Sequence, residues 1–103
     1  MEIIWSDNSK EDLREFFDHI RSGTENSAQK YINRIIDYIE ILKYNPNLGK
    51  MIYINYDNLE YRILIYKRHN ILYSVSDNIN IISIIHTSRD IDKFIKIIKS
   101  LNF

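Results

Sequence analysis

The sequence predicts a two-layer α+β domain, and three observations predict it. Apolar residues between Leu13 and Leu42 recur at helical spacing. After Gly49 they give way to short runs rich in Ile, Tyr and Val. Small polar residues separate those runs at short intervals. A change from helical apolar spacing to short Ile-, Tyr- and Val-rich runs within 103 residues is the pattern of helices laid on an antiparallel sheet.

Taken in order, Met1 to Trp5 reads as a short strand. Ser9-Lys10-Glu11-Asp12 resembles a capping box, with acids near the positive end of a helix. Leu13, Phe16, Phe17 and Ile20 follow at i, i+3, i+4 and i+7, one apolar stripe, and Gly23 stops it. Thr24 or Asn26 starts a second helix, whose stripe is Ala28, Tyr31, Ile32, Ile35, Ile36, Ile39 and Leu42. Asn45-Pro46 ends it, because proline disfavours helix at the residue before it. Two amphipathic helices with a short link make an antiparallel helical hairpin. Met51–Ile54, Tyr61–Tyr66, Ile71–Val75 and Ile79–His86 then read as strands. Their turns fall at Asp57-Asn58, Arg68-His69-Asn70 and Asp77-Asn78, which gives an antiparallel meander. Thr87-Ser88-Arg89-Asp90 caps a last helix with Ile91, Phe94, Ile95, Ile98 and Leu101 as its stripe.

Residues 1–103 fit one domain, and a hydrophobic fraction of 45% supplies a core. Cysteine is absent, which excludes disulfides, thiolate metal sites and cysteine nucleophiles. With His19, His69 and His86 as the only histidines, a structural metal site is not expected, and no cofactor is implied. No apolar run is long enough to span a membrane, and Met1–Trp5 lacks the basic and apolar regions of a signal peptide; a cytoplasmic protein is expected. The formal net charge of zero argues against a general nucleic-acid binder. The charge is nevertheless divided: residues 1–49 hold six basic and nine acidic residues, and residues 50–103 hold eight and five. An acidic partner would meet the second half.

The local sequence resembles the RelE/ParE toxin superfamily along nearly the whole chain. Ile4-Trp5-Ser6 with Asp12-Leu13 resembles the opening strand and helix. Leu42 with Pro46, Gly49 and Lys50 matches an L-x-x-x-P-x-x-G-[KR] exit from the second helix. Tyr61-Arg62-Ile63-Leu64 is similar to an arginine-bearing strand, and Ile71-Leu72-Tyr73-Ser74-Val75 to the strand after it. Ile82 to Arg89 resembles an I-L-x-[IV]-x-H-x-x-R strand end of the ParE-like branch. The resemblance implies the toxin of a type II toxin–antitoxin pair, silenced by a cognate antitoxin. It implies one of two actions: ParE-like poisoning of DNA gyrase, a plasmid-stabilisation activity without catalysis, or RelE-like cleavage of mRNA on the ribosome. An inactive homologue that keeps only antitoxin binding is the third reading.

Cleavage would need a base, an acid and cations around a phosphate. His86, Arg62 and Arg89 supply those residue types, if the sheet brings them together. Each also has a structural reading: His86 as a strand-end hydrogen bonder, Arg62 as the partner of a carboxylate. Lys67, Arg68 and His69 cluster at a hairpin, either as a target- or nucleic-acid-binding group or as a solvated turn. The lysine pair of the nuclease branch has no counterpart beside Arg62, and Phe94 stands near the place of its late tyrosine. These departures and the neutral charge favour the gyrase reading or the inactive homologue over the nuclease.

Overall fold

The computed structural model describes residues 1–20, 25–54 and 58–86, together with Lys96, Lys99 and Ser100. Strand β1 (Ile3–Trp5) leads into helix α1 (Asp7–Ile20) and helix α2 (Glu25–Glu40). A single 3-10 turn, Ile41–Lys43, extends α2 before strands β2 (Lys50–Ile54), β3 (Glu60–Tyr66), β4 (His69–Val75) and β5 (Ile79–His86). The expected last helix, Thr87 to Leu101, lies almost wholly outside the described residues; within it Lys96, Lys99 and Ser100 are helical and exposed.

The four later strands form the expected antiparallel meander. The sheet as a whole is mixed, because β1 joins it parallel to β5, in the order β1-β5-β4-β3-β2. Ile79 N–H donates to Glu2 O at 2.8 Å and Ser6 N–H to Ile81 O at 3.0 Å, which brackets β1 against β5. Periodicity shows that a strand exists and leaves open which strand it joins.

Both helices pack on one face of the sheet. Ile35, Ile39 and Leu42 meet Leu64, Ile71, Tyr73, Ile79, Ile81 and Ile84, with Leu13, Tyr31 and Tyr38 at the margin. The alternate residues Tyr61, Ile63 and Leu72 gather Ile52, Tyr53, Leu59, Ile82 and Ile85 into a second apolar cluster. Central strand β4 is therefore buried without alternation from Ile71 to Ser74.

Two local expectations are corrected. The cap of α1 is Ser6, not Ser9: Ser9 N–H donates to Ser6 Oγ at 3.0 Å, and the helix begins at Asp7. Ser9 is instead buried, its hydroxyl donating to Ser6 O at 2.8 Å. The β3–β4 turn is the two residues Lys67 and Arg68, with Tyr66 paired to His69, so His69 and Asn70 belong to β4. Lys67 reaches φ 52, the positive value that two-residue hairpin turns require. The sequence hides this, because such turns usually carry Gly or Asn there.

Past the end of β1, the open edge of β5 is closed by side chains of α1. Ser6 Oγ and Asn8 Nδ2 donate to Ile82 O at 2.9 and 3.3 Å. The Asp12 carboxylate accepts from Ile84 N–H at 2.9 Å and from Ser83 Oγ at 3.1 Å. The ladder shifts register between Leu72 and Tyr73, leaving Ile82 as the extra residue at this point.

Candidate functional site

Arg62 lies on β3 opposite Tyr73 of β4 and Met51 of β2. Its Nη1 donates to Gly49 O at 2.7 Å and to Asn47 O at 3.3 Å, while Nη2 reaches Glu60 at 3.5 Å. The guanidinium is thus engaged chiefly by backbone carbonyls of the segment leaving the helical hairpin, with Glu60 as a weaker partner. Tyr73, fully buried, holds the same segment: its hydroxyl donates to Pro46 O at 2.7 Å and accepts from Gly49 N–H at 2.9 Å. Burial pushes the Tyr73 phenol above its ordinary 10.0, against the opposing pull of the Gly49 N–H and Arg62. A Cβ on Gly49 would stand 2.7 Å from Ile63 O and from the Tyr73 ring and hydroxyl, so this approach requires glycine.

Lys67, Arg68 and His69 part company. His69 is buried, its Nδ1 sharing a 3.0 Å hydrogen bond with the Tyr31 hydroxyl of α2 and its ring standing edge-on to Phe16 at 4.1 Å between centroids. Lys67 and Arg68 are exposed at the turn. The Lys67 ammonium lies 5.5 Å from the centre of the Tyr31 ring and 5.6 Å from that of Tyr66. Tyr66 in turn meets Tyr38, and Phe16 meets Tyr31, so α1, α2 and the β3–β4 turn share one aromatic cluster. Burial, and secondarily Tyr66, raise the Tyr31 phenol above its ordinary value. The Tyr31–His69 bond spans 38 positions; a tyrosine on a helical stripe and a histidine near a turn give no sign of it in the sequence.

His86 ends β5 opposite His69, and Arg89 lies outside the described residues. The backbones of Arg62 and His86 lie apart on the sheet. Their partners on β4, Tyr73 and His69, are four residues from each other, and β4 lies between β3 and β5. With a rise of about 3.4 Å per residue and about 4.8 Å between strands, their backbones are roughly 16 Å apart. No group of three His, Asp or Glu side chains among the described residues is placed to hold a metal.

The outer strand β2 and its surroundings expose Leu48, Met51 and Ile54, and neighbouring β3 exposes Ile65 at 64%. β2 covers β3 only as far as Ile63, so the stretch around Ile65 has no strand on that side among the described residues. No helix among the described residues is long and apolar enough to cross a membrane.

Fold and site define a small α+β protein whose helical hairpin rests on a mixed sheet, with a cationic turn and an apolar edge facing outward. The family model described as ParE toxin of type II toxin–antitoxin system, parDE, matches residues 3–91. No curated protein is significantly similar in sequence. Among solved structures, one of the chromosomal ParDE TA system from P. aeruginosa superposes with a TM-score of 0.67 at 19% identity, covering 85% of this chain and 97% of that one. The chain belongs to the ParE toxin family, within the RelE/ParE superfamily.

Proposed function

We propose that the protein is a toxin that acts in the cytoplasm by binding DNA gyrase, without cutting RNA, and that a cognate antitoxin neutralises it. The observation that carries this reading is the placement of Arg62. Its guanidinium bonds to the carbonyls of Gly49 and Asn47, roughly 16 Å along the sheet from the backbone of His86. Cations that neutralise a scissile phosphate must be free to converge on it, and the Arg62 guanidinium is instead committed to the backbone of the exit segment. A binding toxin needs anchors and charge on its surface instead. Lys67 and Arg68 at the turn supply the charge.

The antitoxin is assigned to the opposite requirement, coverage of apolar surface. Met51, Ile54 and Ile65 are exposed along an edge where no strand pairs beyond Ile63 among the described residues, a surface suited to an added strand or an amphipathic helix. The test is to add purified protein to a gyrase supercoiling reaction and to a cell-free translation reaction. Inhibited supercoiling with intact mRNA is the expected result. Normal supercoiling with cleaved mRNA, abolished by His86→Ala, would replace this reading with a ribonuclease.

A further inference from the structure

Three described ion pairs employ Arg14, Lys43 and Arg62. Arg34, Lys67 and Arg68 have no carboxylate partner among the described residues, and all three are exposed. They are also arranged about one residue, Tyr31. Arg34 is one helical turn beyond Tyr31 on α2, and residues so spaced are neighbours on a helix surface. Lys67 rests over that same Tyr31, and Arg68 follows it in the turn. Tyr66 and Tyr38 continue the half-buried aromatic floor beneath them.

We infer that this surface, Arg34, Lys67 and Arg68 above Tyr31, Tyr38 and Tyr66, is where the toxin grips its target, and that it takes an acidic protein segment. The assignment rests on the gyrase reading and locates the contact within it. Charge complementarity selects an anionic partner. The rings select protein over nucleic acid: Tyr31 is already engaged with Phe16, Tyr66 and His69, and Tyr66 with Tyr31 and Tyr38, with Lys67 lying over both. Little ring surface is left on which a base can stack. The patch is also local. The chain is neutral, and α1, which packs beside α2, carries Glu11, Glu15 and Asp18 exposed, so a long polyanion meets repulsion that a short acidic segment avoids. Tyrosine and arginine together are the residue types that dominate protein–protein contacts.

Two double variants test it in a supercoiling assay with purified gyrase: Lys67→Glu with Arg68→Glu, and Lys67→Gly with Arg68→Ser. The second removes both charges while giving residue 67 the residue best suited to its positive φ, so its backbone is not put under strain. Thermal unfolding of each confirms the fold. The wild type inhibits supercoiling; charge reversal raises the concentration for half inhibition by about tenfold or more, and neutralisation raises it by about threefold. Inhibition unchanged in both variants overturns the assignment while leaving the gyrase reading in place. A wild type without effect on gyrase overturns both. A fluorescein-labelled 30-base-pair duplex, added without gyrase, covers the nucleic-acid alternative: binding by the wild type that both variants lose would make the surface a DNA-backbone contact and overturn the protein assignment.

Discussion

Two corners of the sheet use the same materials to opposite ends. At one, Tyr73 and Arg62 turn inward and bond the backbone of Pro46, Asn47 and Gly49. At the other, Tyr31 and Tyr66 form a floor, and Lys67 and Arg68 stand above it in solvent. Both corners pair a phenol with a cation. The difference lies in what the polar atoms touch. A guanidinium engaged by fixed carbonyls has few donors left for a ligand, whereas an exposed ammonium over rings has its donors free for a partner. The first corner should therefore govern stability and the second recognition.

The hardest test of that division is Gly49→Ala. The added Cβ meets backbone and a fully buried ring at 2.7 Å. Neither neighbour can withdraw cheaply, so we expect a loss of about 3 kcal/mol in urea unfolding. A loss under about 1 kcal/mol would mean that the corner is softer than the structure describes.

Tyr73→Phe keeps the ring and deletes the hydroxyl, leaving Gly49 N–H and Pro46 O without their partner. Such orphaned groups cost about 2 kcal/mol together. Arg62→Met removes the bonds to Asn47 and Gly49 and should cost about 1.5 kcal/mol, with gyrase inhibition per folded molecule unchanged. Inhibition falling further than the folded fraction would return Arg62 to the target contact.

Alkaline pH probes both corners at once. The folded-state pKa values of Tyr73 and Tyr31 are raised above 10.0, mainly by burial. Between the unfolded and folded values, the unfolded chain holds fewer protons than the native one, so stability falls as pH rises. Below pH 10 these two groups leave stability unaffected. Absorbance at 295 nm should show part of the tyrosine population ionising late and together with unfolding; early, independent ionisation of all eight tyrosines would contradict the burial.

The smallest effect is expected of Lys67→Gly. Relief of a positive φ in a residue other than glycine favours the variant by about 1 kcal/mol. Loss of the ammonium–ring contact offsets about half of that. A net stabilisation near 0.5 kcal/mol, measured by thermal unfolding, would show that lysine is held at this turn at some cost to the fold.

Much of this was legible in the residues. The stripe from Ala28 to Leu42 placed α2, since burial on one side of a helix imposes a 3.6 period that a strand cannot satisfy. The Ile- and Tyr-rich run Tyr61–Tyr66, bounded by turn residues, placed β3. The meander followed from short turns, because a connection of a few residues can join only antiparallel neighbours. The exact turn residues were less legible: Lys67 adopts a conformation that its side chain disfavours, so propensity pointed to the following residues instead.

The sequence by itself determined the element order, the α+β class and the motifs by which this chain resembles its family, because these depend on neighbours along the chain. Only the tertiary structure decided that β1 runs parallel to β5, that Asp12 closes the β5 edge, that His69 is buried against Tyr31, and that Arg62 belongs to the exit corner. Each of those facts pairs groups between 13 and 76 positions apart. Local periodicity carries no record of such pairings; they are selected when the layers close and buried polar groups are drawn to partners.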